Sequence, residues 1–190
     1  MDKIAFLGDS ILLYGYGPVI KETLGKEYDV FVPKENCCYC QKLYRSCFDE
    51  KENLKDASII QFNSGEWDVS DIFANGENVT PLDIYVRMTV RTAKILQTYA
   101  KAVIFATTTP VKNGHEHNKT EDIIRFNEAV VPELEKIGVV INDLFSIVNE
   151  DIENNIIEDK IHLSEGGAKK CAEQTEKIIR EEMKKINGGK

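Results

Sequence analysis

Short apolar runs alternate with longer stretches of mixed polarity along the chain. Five runs have the length and content of buried strands, and each is followed at once by glycine, proline or a polar residue. They cover residues 3–7, 28–32, 58–62 and 102–106, and a fifth begins at 139–141. A continuous apolar run is typical of a parallel strand, because helices cover both faces of such a sheet. The pattern therefore predicts a sheet of buried parallel strands.

The stretches between these runs show the apolar spacing of helices. They cover residues 10–25 (interrupted near Gly15 to Pro18), 80–100, 120–137 and 164–186. We expect Thr80 and Thr120 to act as N-caps, since threonine is favoured there. Pro132 removes one internal hydrogen bond and should kink or divide the third helix.

Strands that alternate with helices indicate β-α-β units with right-handed crossovers. We expect one α/β domain over residues 1–187, with a five-stranded parallel sheet between two helical layers, and a flexible tail at residues 188–190. Ligands of such sheets bind beyond the carboxyl ends of the strands. The loops expected at that rim begin at Gly8, Pro33, Gly65, Thr107 and near residue 142.

Composition and charge narrow the class of protein. Hydrophobic residues make up 42% and charged residues 29% of the 190 residues, which is ordinary for a soluble globular domain. No apolar run approaches the roughly 18–20 residues of a membrane span. The net charge of −8 disfavours nucleic acid as a partner. The first apolar run is too short for a signal peptide, so we expect a cytoplasmic protein without a membrane partner.

The cysteines are expected to be reduced thiols, because their number is odd and no secretion signal precedes them. They are Cys37, Cys38, Cys40, Cys47 and Cys171. The first four lack the paired C-x-x-C spacing of zinc ribbons, and small buried fillers are the preferred interpretation. His115 and His117 could chelate a metal, but a mobile polar loop is the preferred interpretation there. We therefore expect no metal.

Two local patterns carry chemistry. Gly8-Asp9-Ser10 follows the first strand, where a helix N-terminus offers free N–H groups to a developing oxyanion. Asp159 precedes His162 by three residues, so a turn would let the carboxylate hold one ring nitrogen while the other serves as a base. Each pattern alone also fits a plain structural role: a serine N-cap after a glycine turn, and a solvated loop histidine.

Together, the two patterns resemble the SGNH/GDSL hydrolase family, over essentially the whole chain. The resemblance implies a flavodoxin-like three-layer α/β/α sandwich. It also implies an esterase, lipase, thioesterase or carbohydrate deacetylase that needs neither metal nor cofactor. By the same resemblance, Ser10 is the nucleophile, His162 the base and Asp159 the acid that orients it.

The chain departs from this family in its oxyanion hole. The third sequence block of the family is usually G-x-N-D, whereas this chain reads G-E-W-D from Gly65, with Trp67 in place of the asparagine. The form N-x-G-x-W-D indicates a subfamily variant, in which Asn63 supplies the amide instead. The loop after the second strand offers the N–H of Asn36 or Cys37 as a further donor.

These observations predict a serine ester hydrolase that forms an acyl-serine. Its partner is a small-molecule ester, of which an acetylated carbohydrate is the first choice, because no long apolar lid is present to hold a fatty chain. A thioesterase or lysophospholipase remains an alternative, as does a catalytically weak SGNH-like ligand-binding domain. A flavodoxin-like cofactor or signalling domain is a more distant one. The oligomeric state stays open.

Overall fold

The computed structural model of the chain describes residues 1–188; of the tail predicted at 188–190, residues 189–190 lie outside the described residues. Five strands are present, β1 (Lys3–Leu7), β2 (Asp29–Phe31), β3 (Ala57–Phe62), β4 (Ala100–Ala106) and β5 (Val140–Asn142). A π-helical segment, Ile11–Tyr16, runs directly into the first α-helix. The α-helices are α1 (Gly17–Leu24), α2 (Cys40–Asp49), α3 (Lys51–Leu54), α4 (Leu82–Leu96), α5 (Thr120–Glu135), α6 (Leu144–Asn149), α7 (Ile152–Asn155) and α8 (Glu165–Gly188).

The sheet is parallel throughout, with strand order β2-β1-β3-β4-β5. This order is the one found in flavodoxin-like folds, and it confirms the predicted five-stranded sheet. Leu7 pairs with Phe62, and Phe62 pairs with Phe105, so β1, β3 and β4 end at the same level. The loops that follow these three strands therefore start from one edge of the sheet.

Two hydrophobic clusters, one on each face of the sheet, join the sheet to a helical layer on either side. Along β1, Ala5 and Leu7 face the cluster formed with α2, α4 and α5, whereas Ile4 and Phe6 face the cluster formed with α1, α6 and α8. Successive side chains of a strand point to opposite faces, so an apolar strand can serve both clusters. The result is the predicted three-layer α/β/α arrangement.

At the starts of α4 and α5, the threonine that was predicted to be the N-cap has another position or role. Pro81 has extended backbone (ψ 141°) and is the N-cap of α4, so Thr80 lies one position too early to cap it. Thr120 is the first residue of α5 rather than its cap. Its hydroxyl instead donates to the carbonyl of Val111 (2.9 Å) and accepts from the N–H of Val111 (3.2 Å).

The interior of α5 and the two ends of α8 can also be compared with the prediction. Pro132 lies in the last turns of α5 and does not divide it. The last helix was predicted to begin near residue 164, and α8 begins at Glu165; the hydroxyl of Ser164 accepts the N–H of Gly167 at 3.1 Å. That helix continues through Gly188, which was predicted to begin the tail. Among the described residues, no helix combines the length and apolar character needed to cross a membrane.

The cysteine segment forms a helix that the apolar pattern did not predict. In α2, Cys40, Leu43 and Cys47 are all buried in the core, at the helical spacing i, i+3, i+7. Cys37 and Cys171 are buried as well, which confirms the prediction of small apolar fillers, while Cys38 is only partly buried. All five thiols are free.

Candidate active site

Ser10 lies where β1 gives way to the π-helical segment, and only 8% of it is exposed. The turn before it is tight. A Cβ at Gly8 would lie 1.9 Å from Oδ1 of Asn63, so any larger residue here would displace the Asn63 side chain. The carboxylate of Asp9 accepts the N–H of Ile11 at 3.0 Å and so holds the turn in place.

His162 and Asp159 lie on a closed loop before α8. The N–H of Ile157 donates to the carbonyl of His162 (2.9 Å), and the N–H of Lys160 donates back to the carbonyl of Ile157 (3.0 Å). Lys160 has a φ of 71°, a left-handed conformation that lets the loop reverse direction. Oδ1 of Asp159 accepts the N–H groups of Ile161 (3.1 Å) and His162 (2.9 Å).

The fold brings this loop to Ser10, 152 residues away in sequence. Nε2 of His162 lies 2.8 Å from Oγ of Ser10, and Nδ1 lies 2.7 Å from Oδ2 of Asp159. Leu163 helps to bring the two segments together, because its side chain packs on the open face of Gly15 in the helical segment that follows the serine. Ser10, His162 and Asp159 therefore form one continuous hydrogen-bonded chain.

The charge of Asp159 determines which nitrogen of His162 carries the proton. Burial acts to raise the pKa of Asp159, but hydrogen bonds from the backbone and ring of His162 and from Ile161 hold it below its ordinary value. The carboxylate is therefore ionised near neutral pH and can only accept. Nδ1 of His162 must donate to it, which leaves Nε2 with a lone pair directed at the hydroxyl of Ser10.

Three buried carboxyl groups lie beneath this site. Burial raises the pKa of Asp9 to about 6, against weaker opposing effects of Asn63 and Ile11. Burial also raises the pKa of Asp68, and raises that of Glu66 well above its ordinary range. One oxygen of Asp9, Oδ2, has no hydrogen-bond partner within residues 1–188.

The predicted backbone donors of the second loop differ in availability. The N–H of Cys37 donates to the carbonyl of Gly8 at 2.9 Å, so Cys37 is wrong as an oxyanion donor. The side chain of Asn36 accepts the N–H of Cys38 at 2.7 Å, and Asn36 lines the same pocket as Ser10. The N–H groups of Asn36 and Ser10 have no acceptor in the described part of the chain.

The third-block residues occupy three different environments. Asn63 is 5% exposed and lies against Gly8. Gly65 has a φ of 144°, and a Cβ there would lie 2.0 Å from Oγ1 of Thr108, so its role is conformational. Trp67 is 46% exposed on the wall of the pocket.

The pocket beside Ser10 has a volume of about 360 Å³ and draws its walls from the loops after β1, β2, β3 and β4 and from the loop before α8. It is lined by Ser10, Tyr14, Asn36, Glu66, Trp67, Ser70, Ile72, His115, His117, Asn118, Ile161 and His162. Four of the five loops predicted to share a rim therefore meet here. The loop after β5 does not contribute to this lining.

Sequence reasoning missed the residues that join the pocket walls. Glu66 accepts the hydroxyl of Thr109 (3.0 Å) and the side-chain amide of Asn118 (3.2 Å), which also donates to the Glu66 carbonyl (2.8 Å). Ser70 donates to the other end of the same amide at 2.7 Å. The one signal available was the charge of Glu66, which lies four residues after the end of β3.

Clusters of side chains that could bind a metal ion are absent from the described part of the chain. No group of three or more His, Cys, Asp or Glu side chains within residues 1–188 is arranged to hold an ion. His115 and His117 lie on the pocket wall with ring centroids 6.4 Å apart.

Comparison with known proteins gives the class of fold. No protein-family model matches the sequence, and a search of curated proteins finds no match. Among solved structures, the chain is similar to the acetylxylan esterase Axe2 from Geobacillus stearothermophilus, with a TM-score of 0.77 and 18% identity over 95% of this chain and 94% of that one.

Two further solved structures are similar to this chain in fold. The acetyl xylan esterase AlAXEase matches with a TM-score of 0.76 and 18% identity, over 93% of this chain and 99% of that chain. A lipolytic protein of the G-D-S-L family from Veillonella parvula matches with a TM-score of 0.77 and 15% identity, over 94% and 98% of the two chains. The chain therefore has the α/β/α sandwich fold of these proteins.

Proposed function

We propose that the chain is a serine ester hydrolase of the SGNH/GDSL type. It forms an acyl-serine and acts on a small acyl ester such as an acetylated carbohydrate. The observation that carries this proposal is the 2.8 Å contact between Ser10 and His162, with Asp159 at the other ring nitrogen. The acetylxylan esterases among the similar structures support the choice of acyl group.

The geometry supports a two-step reaction. Oγ of Ser10 attacks the acyl carbonyl carbon while its proton passes to Nε2 of His162, and Asp159 stabilises the imidazolium. As the intermediate collapses, His162 returns that proton to the leaving alcohol, and the acyl group stays on Ser10. Water then attacks the acyl-serine with His162 again as base, which releases the acid and restores the hydroxyl.

The oxyanion in this proposal is bound by donors of different kinds. The N–H groups of Ser10 and Asn36 are available, and the third donor in this proposal is the side-chain NH₂ group of Asn63, whose Oδ1 lies against Gly8. Trp67, which stands where the family has its asparagine, forms the pocket wall instead. Removal of one such donor costs about 10²–10³ in rate, so Asn63→Ala should show a loss of that size if it serves.

Hydrolysis of a p-nitrophenyl acyl ester series tests the proposal. Wild type should turn over the acetate, and Ser10→Ala should lose that turnover. Ser146→Ala, which changes an exposed serine on α6, is the matched control and should retain it. Equal turnover by wild type and Ser10→Ala would refute the proposal. Acyl thioesters and longer acyl chains in the same panel test the thioesterase and lysophospholipase alternatives.

A second candidate is a ligand-binding domain with weak catalysis, and Trp67 at the asparagine position is the observation that favours it. Stoichiometric binding of an acetylated sugar without turnover by the wild type would select this candidate.

As for location, we propose the cytoplasm, because all five thiols are free and cytosolic proteins keep their thiols reduced.

A further inference from the structure

The loop after β4 carries a histidine that the proposed reaction does not use. His115 lines the pocket together with Ser10 and His162, and it is partly buried. Its ring therefore shares the space that a substrate would occupy, although it makes no hydrogen bond to either of those two residues in the described chain.

The backbone around His115 fixes its tautomer. Nδ1 accepts the N–H of Asn118 at 3.0 Å and that of His117 at 3.3 Å. A backbone N–H can only donate, so Nδ1 must hold a lone pair, and the proton of the neutral ring sits on Nε2. Burial, together with the neighbouring His117, lowers the pKa of His115, which keeps the ring neutral near pH 7.

Two hydrogen bonds hold the loop that carries His115 in place. The N–H of Lys112 donates to the carbonyl of Lys160 (2.9 Å), and Nζ of Lys160 donates to the carbonyl of Gly114 (2.8 Å). These two bonds join the histidine loop to the loop that carries His162. The Nε2–H of His115, by contrast, has no acceptor within residues 1–188, and it remains a donor for a ligand.

The side on which His115 lies selects one half of the ester. In the proposed reaction His162 delivers its proton to the alcohol oxygen, so the alcohol half leaves on the side of the His162 loop. The loop that carries His115 is hydrogen-bonded to the His162 loop, so a donor on it is placed on the side of the alcohol half.

We propose that His115 binds the alcohol half of the substrate by donating its Nε2–H to an oxygen close to the ester oxygen. This inference rests on the proposed ester hydrolysis and narrows its substrate class. The preferred alcohol is a polyol or sugar, which has further oxygens beside the ester, and a thiol or a simple alkyl alcohol does not meet this donor.

Two conservative variants distinguish the role of Nδ1 of His115 from that of Nε2. In His115→Asn, the amide oxygen can take the place of Nδ1 and keep the loop closed, but nothing replaces Nε2. In His115→Gln, the longer amide can place an NH₂ group near the position of Nε2. Glu116→Gln changes a neighbouring exposed side chain and is the control.

The test compares an acetylated methyl xyloside with 1-naphthyl acetate, whose alcohol half has no second oxygen. Loss of one hydrogen bond predicts that His115→Asn lowers kcat/KM for the xyloside about threefold to tenfold, mainly through KM. It should leave 1-naphthyl acetate unchanged. His115→Gln should recover part of the loss, and Glu116→Gln should match the wild type on both substrates.

An equal loss on both substrates would show a structural role and overturn the inference, as would no loss on either. Melting temperatures of all variants identify a folding defect, and a His115→Gln protein that melts like His115→Asn but shows no recovery also counts against it. If the wild type hydrolyses neither ester, the ester hydrolase proposal fails first, which is a different result from wild-type turnover without any dependence on His115.

Discussion

Asp159→Asn is the substitution whose consequence the hydrogen bonds of the site define most fully. In the wild type, Oδ1 accepts two backbone N–H groups, from Ile161 and His162, while Oδ2 faces Nδ1 of His162. The asparagine oxygen must keep the backbone bonds, since an NH₂ group cannot accept. Its NH₂ group is then left facing Nδ1, and because it can only donate, Nδ1 must accept.

This reversal moves the ring proton to Nε2, where it points at Oγ of Ser10 from 2.8 Å. His162 then donates to the serine and no longer removes its proton. The equivalent substitution in a serine protease costs about 10⁴ in kcat. We expect a loss of about 10³–10⁴ in kcat/KM here, which corresponds to about 4–5.5 kcal/mol in the activation free energy.

The assay is p-nitrophenyl acetate hydrolysis at neutral pH, combined with a thermal melt. Stability should change by less than about 1 kcal/mol, because both backbone bonds remain and exposed polar substitutions have small effects. Glu158→Gln removes the same charge at the neighbouring exposed position and should retain full activity. A tenfold or smaller loss for Asp159→Asn, in a protein that melts like the wild type, would refute the tautomer reasoning.

Two other substitutions test how residues next to the site affect the stability of the fold. In a denaturant titration, Gly65→Ala should cost about 2–5 kcal/mol in unfolding free energy, since its φ is 144° and its Cβ would meet Thr108 at 2.0 Å. The control is Gly76→Ala, which has a φ of 83° and open space around it and should cost less. Equal losses for the two variants would contradict the role of crowding at Gly65. The pKa of Asp9 rises from 3.8 to about 6 on folding, so the native state binds its proton more tightly, and stability falls by about 3 kcal/mol as pH rises through that window. Asp9→Asn should flatten the decline in unfolding free energy between pH 4 and pH 7, and an unchanged slope would exclude Asp9 as its source.

The sequence predicted the features whose signals are local. Each strand contains a short apolar run, and the serine and the D-x-x-H loop each lie within a few residues of a predicted element boundary. Segments 152 residues apart then meet because Leu163 and α8, which follow the His162 loop, pack in one hydrophobic cluster with the helical segment that follows Ser10.

The remaining features depend on contacts between distant loops. The amide of Cys37 is occupied because the second loop passes beside Gly8, and nothing near Cys37 in sequence indicates that path. Glu66 contacts Asn118 across 52 residues, so the wall they form has no local pattern. Likewise the hydroxyl of Thr120 bonds to a neighbouring loop instead of capping its helix.

The central claim is that His162 activates the hydroxyl of Ser10, and covalent labelling with a fluorophosphonate probe tests it most directly. Mass spectrometry of the digested protein should find one adduct, on Ser10, in the wild type. Ser10→Ala and His162→Ala should carry none, although both should melt within a few degrees of the wild type. A wild-type protein that stays unlabelled, or one labelled equally well without His162, would contradict the claim.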